Sequence, residues 1–205
     1  IYILLSCLLL SLNIVNAQTN KSAKAWTDSV YKSLSPEERI AQLMIVRLSS
    51  INSKRGVTFF DQQVDSLVRM YNIGGICLFQ GGPVKQALLL NQLQAVAKTP
   101  LLISIDGEWG VGMRMTDSVL PLPRQMMLGA MQDESLMFEY GKMVGEQCRR
   151  LNIQVNYAPV VDVNNNPNNP VINERSFGED KYKVARLGIQ YMKGMQDVGV
   201  MASAK

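Results

Sequence analysis

Apolar and polar positions along the chain alternate between two periods, and the switches mark a regular series of elements. Ser35-Pro36-Glu37-Glu38 predicts a helix start, with Ser35 as N-cap, Pro36 in the first turn and Glu38 completing a capping box. One face is expected to carry Ile40 and Leu43, before a first strand near Met44–Val46 that ends at Arg47. Residues 48–58 are rich in Ser, Asn, Lys, Arg and Gly and read as a loop. Val64, Leu67 and Val68 recur at helical spacing between Phe60 and Tyr71, and Asn72-Ile-Gly-Gly75 stops that helix, with a glycine expected in the left-handed cap. Ile76–Phe79 predicts a second strand, Val84–Lys98 a helix, and Leu101–Ile105 a third strand, an uninterrupted apolar run that suits burial on both faces.

A long loop follows Asp106, closed by Leu120-Pro-Leu-Pro123. A methionine-rich helix is expected from about Asp133 to Leu151, where Gly141 and Gly145 suggest close packing. Val155–Val161 predicts a fourth strand ending at Asp162, made irregular by Pro159. After an Asn- and Pro-rich loop, Lys181–Asp197 predicts a helix and Val200–Ala204 a fifth strand ending at Lys205. Strands alternating with helices predict a parallel α/β architecture. Two forms fit: a (β/α)8 barrel with about five of its eight strands in this chain, or an open doubly wound sheet. No Gly-x-Gly-x-x-Gly follows the first strand, which counts against the second.

Composition narrows the chemistry. The hydrophobic content of 47% and charged content of 19% suit a folded chain. A net charge of +4, carried by scattered basic residues, gives no reason to expect nucleic acid as a partner. There is no histidine, which rules out Ser-His-Asp and Cys-His catalysis within these residues and removes the commonest metal ligand. Cys7, Cys77 and Cys148 have no zinc spacing, and the latter two are expected as buried thiols. No metal or cofactor is expected. Ser29-x-x-Lys32 matches a serine acyl-enzyme motif but lacks its companions and is assigned to chance.

Residues 1–17 are apolar and uncharged and end in Val15-Asn16-Ala17, the form of a secretory signal peptide lacking its basic start. The chain is therefore expected to be exported, to the periplasm or outside the cell, with no other membrane association. Residues 18–34 read as a polar lead-in with a helix carrying Trp26, Val30 and Tyr31, and 35–205 as the main domain. The first residue is Ile and the last follows an apolar run, so the chain is read as a piece of a longer protein, with further domains beyond it. As an isolated piece it is expected to be inactive and poorly folded, because an open barrel leaves strand edges unpaired.

Polar residues collect just after the strands: Arg47, Gln80, Asp106, Asp162 and Lys205. In a parallel barrel these ends share one face, where ligands bind. Asp106, Glu108, Arg114, Asp162, Glu174, Arg175 and Lys205 form the candidate set. Carboxylates and guanidinium groups suit a substrate rich in hydroxyls, since a carboxylate accepts from two neighbouring hydroxyls and arginine offers a fixed fork of donors. Trp109 offers a face for a sugar ring. Asp106 and Arg114 are expected to touch ligand. Asp162 is expected to satisfy backbone donors in its own loop. For Arg175 a pairing with Glu179 or Asp180 stays open, and Glu108 is as well suited to holding its loop as to binding.

Ile105-Asp-Gly-Glu-Trp-Gly-Val-Gly-Met-Arg114, Asn156-Tyr-Ala-Pro-Val-Val-Asp-Val163 and Asn169-Pro-Val-Ile-Asn-Glu-Arg-Ser-Phe-Gly-Glu-Asp180 together resemble glycoside hydrolase family 3 over about Ser35 to Lys205. The resemblance is to the N-terminal barrel domain, and specifically to its β-N-acetylhexosaminidase branch. Similar variants are secreted and carry a β-lactamase-like domain behind the barrel. The resemblance implies a retaining mechanism through a covalent glycosyl-enzyme, with an aspartate nucleophile and a histidine acid/base that lie downstream of Lys205. It implies removal of terminal β-linked N-acetylglucosamine from a small carbohydrate, including peptidoglycan-derived substrates. Substrate binding falls to Asp106, Arg114, Arg175 and Lys205, with no catalytic residue in these 205 residues. A β-glucosidase or β-xylosidase of the same family, or a noncatalytic sugar-binding module, are the alternatives.

Overall fold

The computed structural model describes residues 21–52, 54 and 56–205; the signal-peptide reading and Cys7 lie outside them. Two units are distinguished, one ending at Leu34 and the other running from Ser35 to Lys205. In the first, helix α1 (Lys21–Ser33) carries Trp26 and Tyr31 exposed, with a Lys24–Asp28 ion pair one turn apart at 2.7 Å. Among the described residues no helix is long and apolar enough to cross a membrane.

The second unit opens with α2 (Pro36–Ala41), started by the expected capping box: the Glu38 amide donates to Ser35 Oγ at 3.2 Å, and the Ser35 amide to Glu38 Oε2 at 2.9 Å. The helix is shorter than expected. The chain leaves it at buried Ala41, and Gln42 Nε2 turns aside to the Asn72 carbonyl at 2.6 Å, so Ile40 and Leu43 face outward. Strand β1 (Ile45–Arg47) follows. The residues read as a loop form an antiparallel hairpin, β2 (Ser49–Asn52) with β3 (Gly56–Phe59), in register Ser49 opposite Phe59. Its alternation is masked because a polar residue takes the buried position: Ser49 donates its hydroxyl to the Gln80 carbonyl at 2.6 Å.

Helix α3 (Asp61–Tyr71) ends on Asn72, not a glycine, in the left-handed conformation with φ 55°. Asparagine tolerates that backbone, and here its amide also clasps Thr99 through both side-chain atoms, at 3.0 and 3.1 Å. Next come β4 (Gly75–Leu78), α4 (Pro83–Val96) and β5 (Leu102–Ile105). The long loop after β5 contains a short helix, α5 (Gln125–Gly129), before α6 (Leu136–Arg150). Strand β6 keeps only Val155–Asn156 of the expected run, because Pro159 has no amide proton to give to a ladder. Helix α7 (Lys181–Asp197) has the expected bounds, and β7 (Met201–Ala202) closes the series.

The five strands other than the hairpin form one parallel sheet in the order β1-β4-β5-β6-β7. A doubly wound sheet reverses its order at a switch point. Here spatial order follows chain order throughout, which keeps right-handed crossovers on one side and gives part of a (β/α)8 barrel. Side chains alternate accordingly. Val46, Leu48, Ile76, Leu78, Ile103 and Ile105 belong to the apolar core with the helices, while registered Arg47, Cys77 and Ser104 share the opposite face. Cys77 and Cys148 are free, buried thiols; burial pushes both upward, Cys148 to about 12.

Helices α6 and α7 meet backbone to backbone. A Cβ on Gly141 would stand 2.3 Å from the Tyr191 carbonyl oxygen, and one on Gly194 would stand 2.1 Å from that of Phe138. Tyr140 and Tyr191 then meet edge to face at 5.4 Å. Gly194→Ala is expected to force these helices apart and cost about 1–3 kcal/mol, read as a lowered Tm of the intact protein. Ala25→Gly on exposed α1 gives the comparison for a helix substitution with no such contact.

Candidate functional site

Asp106 stands one residue beyond β5, and the loop it opens folds back over the strand end. The fold-back is built from glycine and from buried amides. Gly110 takes φ +88°, and the 3-10 turn Val111–Met113 then returns Arg114 to its starting point. Arg114 Nε donates to the Asp106 carbonyl at 2.6 Å and Nη2 to Asp106 Oδ2 at 2.8 Å, while its guanidinium lies 4.8 Å over the ring of Phe79. Fully buried Asn156, at the end of β6, clamps the Gly107 peptide from both sides, accepting from its amide and donating to its carbonyl, each at 3.0 Å. The Glu108 carbonyl accepts from Gln125 Nε2 at 2.7 Å and from the Tyr191 hydroxyl at 2.9 Å. Gln147 Oε1 holds the Val111 amide at 3.0 Å.

On this frame two further loops converge. Arg175, on the 3-10 turn Asn173–Arg175 in the loop between β6 and α7, forks onto Glu108: Nε to Oε2 at 2.8 Å and Nη2 to Oε1 at 2.7 Å. Lys205, just past β7, reaches Asp106 Oδ1 at 2.5 Å and Glu108 Oε1 at 3.0 Å. The result is one continuous chain of charge, Arg114–Asp106–Lys205–Glu108–Arg175. Of its two carboxylates Glu108 is the more enclosed: its side chain is 2% exposed, against 23% for Asp106, and that of Lys205 is 34% exposed. Burial pushes the Glu108 carboxyl upward, but hydrogen bonds from Arg175 and Lys205 outweigh it and hold the group below its ordinary 4.5. Glu108 in turn raises Arg175.

Asp106 and Lys205 border an open depression of about 570 Å³ on the face of the sheet away from the apolar core, with Cys77, Phe79, Tyr157 and Ser203 among its walls. Each Asp106 oxygen takes one protein donor and keeps a lone pair, and the ammonium has a third proton beyond its two carboxylate contacts. The surface presented is a charged acceptor flanked by charged donors. Among the described residues no group of three His, Cys, Asp or Glu side chains is placed to hold a metal ion.

Asp106, Arg114, Arg175 and Lys205, read separately from the sequence, thus come together. Glu108 joins them as the shared partner of Arg175 and Lys205, whereas Asp162 and Glu174 do not. Asp162 is exposed, and its carbonyl rather than its carboxylate is engaged, by Ser176 Oγ at 2.6 Å. Glu174 pairs with Arg124 at the surface, and the Arg124 guanidinium covers one face of Trp109 at 4.7 Å, the ring proposed for a sugar. Arg175 pairs with neither Glu179 nor Asp180. Asp180 caps α7 instead, accepting the Tyr182 amide at 2.9 Å. Of the residues that sequence reading left out, Asn156 carried a signal, a polar residue inside an apolar strand run. Gln125 and Tyr191 carried none, since their partner is a main-chain carbonyl far along the chain.

Removing Arg175 leaves a buried carboxylate with Lys205 alone. Arg175→Ala is expected to cost roughly 2–3 kcal/mol, whereas Arg186→Ala, which breaks the exposed Glu134 pair, leaves Tm near that of wild type. Glu108 has its pKa lowered on folding, so its contribution is complete above pH 4.5 and is lost as pH falls through the lower folded value. The stability gap between wild type and Arg175→Ala should close over that acid range, as thermal melts across pH would show.

Residues 35–205 match the family model described as the Glycosyl hydrolase family 3 N terminal domain. The chain is 34% identical over 164 residues to beta-hexosaminidase A of Pseudoalteromonas piscicida, covering 74% of this chain and 27% of that protein. It is 28% identical over 183 residues to a beta-N-acetylglucosaminidase/beta-glucosidase of Cellulomonas fimi, covering 88% and 30%. Among solved structures, a family 3 beta-N-acetylglucosaminidase from a Paenibacillus species superposes with a TM-score of 0.73 at 36% identity, over 84% of this chain and 33% of that one. The chain spans less than a third of the length of these two curated relatives.

Proposed function

The chain belongs to glycosyl hydrolase family 3, whose N-terminal domain it carries over residues 35–205, and from that membership we propose that the intact protein is a β-N-acetylhexosaminidase. It removes terminal β-linked N-acetylglucosamine from small carbohydrates, peptidoglycan-derived fragments included. Asp106, Arg114, Arg175 and Lys205 hold the sugar. The observation that carries this reading is the junction of three cations and two carboxylates beside an open depression at the strand ends. Such a site is too polar for an apolar ligand and is shaped for vicinal hydroxyls, with Asp106 accepting and the ammonium and guanidinium groups donating.

In this role the residues bind and orient the ring, and Asp106, already fixed on both oxygens, needs no rearrangement to receive it. The chemistry that the family resemblance implies is retaining, through a covalent glycosyl-enzyme. A β-glucosidase activity is the second reading, favoured by the double activity in the name of the Cellulomonas relative. The apolar residues 1–17 support export to the periplasm or beyond the cell.

The intact protein should release chromophore from an aryl N-acetyl-β-glucosaminide faster than from an aryl β-glucoside; the reverse order would favour the second reading. Asp106→Ala removes a charged acceptor, so kcat/KM should fall about 100-fold or more. Unchanged turnover in that variant would remove these residues from the sugar site.

A further inference from the structure

We propose that Glu108 is a positioning residue: it touches no sugar, but as the shared counter-ion of Arg175 and Lys205 it keeps Asp106 free to accept the substrate's hydroxyls. The inference rests on the preceding reading of the site and adds to it a residue whose side chain is 2% exposed and therefore closed to a ligand.

The argument is one of charge and of available lone pairs. Three cations converge here on two carboxylates. Lys205 divides its donors between Asp106 Oδ1 at 2.5 Å and Glu108 Oε1 at 3.0 Å. Arg175 commits both Nε and Nη2 to Glu108. If Glu108 loses its charge, Asp106 is the one carboxylate left at this junction, held by Arg114 and Lys205. Lys205 then closes on Asp106, Arg175 has no anion of its own, and the acceptor sites left for a sugar are consumed.

The place of the Glu108 carboxylate is itself set by the main chain. Its carbonyl is held by Gln125 and Tyr191, and the preceding peptide is held by Asn156. Burial without a partner would favour the neutral acid, yet the two cations keep it ionised. An ionised and immobile Glu108 can therefore fix two side chains that arrive on separate loops.

The test is a comparison of wild type, Glu108→Gln and Glu108→Asp in the intact protein. It uses steady-state turnover of an aryl N-acetyl-β-glucosaminide and calorimetric binding of free N-acetylglucosamine and glucose, with near-UV circular dichroism as the check on folding. Glutamine keeps the size and loses the charge, so KM and the sugar Kd should both rise about 10- to 100-fold, with kcat within about threefold, the signature of lost uniform binding. Aspartate keeps the charge and should recover a large part of the affinity. A folded Gln variant that binds sugar within twofold of wild type would overturn the proposal. So would lost activity that tracks lost folded protein at unchanged KM, or an Asp variant no better than Gln. If wild type binds sugar in a Glu108-dependent way but hydrolyses neither glycoside, the activity reading fails and this inference stands. If wild type binds no sugar at all, the inference falls.

Discussion

A carboxylate taken out of water must be paired or neutralised, and Glu108 is where this chain meets that demand. An unpaired charge there would cost several kcal/mol. The two groups that satisfy it come from the loop after β6 and from the residue past β7, so the loops that end three successive strands are tied to one another through a single side chain. Asp106, two residues earlier, is less buried and shares one of the same cations. The pair divides two tasks that conflict in a single group. A carboxylate that anchors loops must be enclosed and saturated, whereas one that binds a ligand must stay open and keep lone pairs. The Gly107 peptide between them, gripped by Asn156, sends the two side chains to these different surroundings.

The sheet supplies the platform through its strict alternation. On the helix side it places Ile76, Leu78, Ile103 and Ile105 in a continuous apolar core, which accounts for most of the burial. The other face is assigned to different chemistry. Cys77 and Ser203 stand there beside the larger Arg47, Phe79 and Tyr157, and together they wall the depression next to Asp106. A one-residue slip in any strand would exchange the two faces, so the core that stabilises the domain also sets the register of the site.

Much of this was legible in the chain itself. Apolar runs located the five strands of the sheet, though β6 stops at Asn156, well short of the expected end at Asp162, and the capping box at Ser35 and the bounds of α7 followed from local rules. Two of the misreadings share a physical origin. Each arose where a side chain satisfied a distant backbone group and so occupied a position that its type does not usually take. Ser49 is buried because the Gln80 carbonyl accepts from it, which hid the hairpin, and Asn72 caps α3 because Thr99 takes both ends of its amide. Pro159 was noticed, but the extent to which it shortened β6 was not. At the site, the four members other than Glu108 were read from their types and motifs. Glu108 was weighed without a decision, since its partner lies 67 residues away and local pattern carries no information about such a pairing.

The two cations that meet on Glu108 are also held in different ways. Past the short β6–β7 ladder, the backbone of Lys205 continues to pair, its amide donating to the Pro159 carbonyl at 3.0 Å and its carbonyl accepting the Val161 amide at 2.7 Å. Its Cα is thereby fixed by the sheet, and only the flexible stem needs an anion to order it. Arg175 sits instead in a loop rich in Asn and Pro, secured by a local turn in which its amide donates to the Ile172 carbonyl at 2.8 Å. Ordering a long side chain costs up to about 2 kcal/mol of rotamer freedom, and for Arg175 that cost is offset chiefly by the two bonds to Glu108. Loss of the carboxylate charge therefore leaves Lys205 with Asp106 as an alternative partner, while Arg175 retains only its bond from Nη1 to the Val171 carbonyl at 3.1 Å. The arginine, and with it the loop between β6 and α7, is the part of the site whose order depends most on that one buried anion.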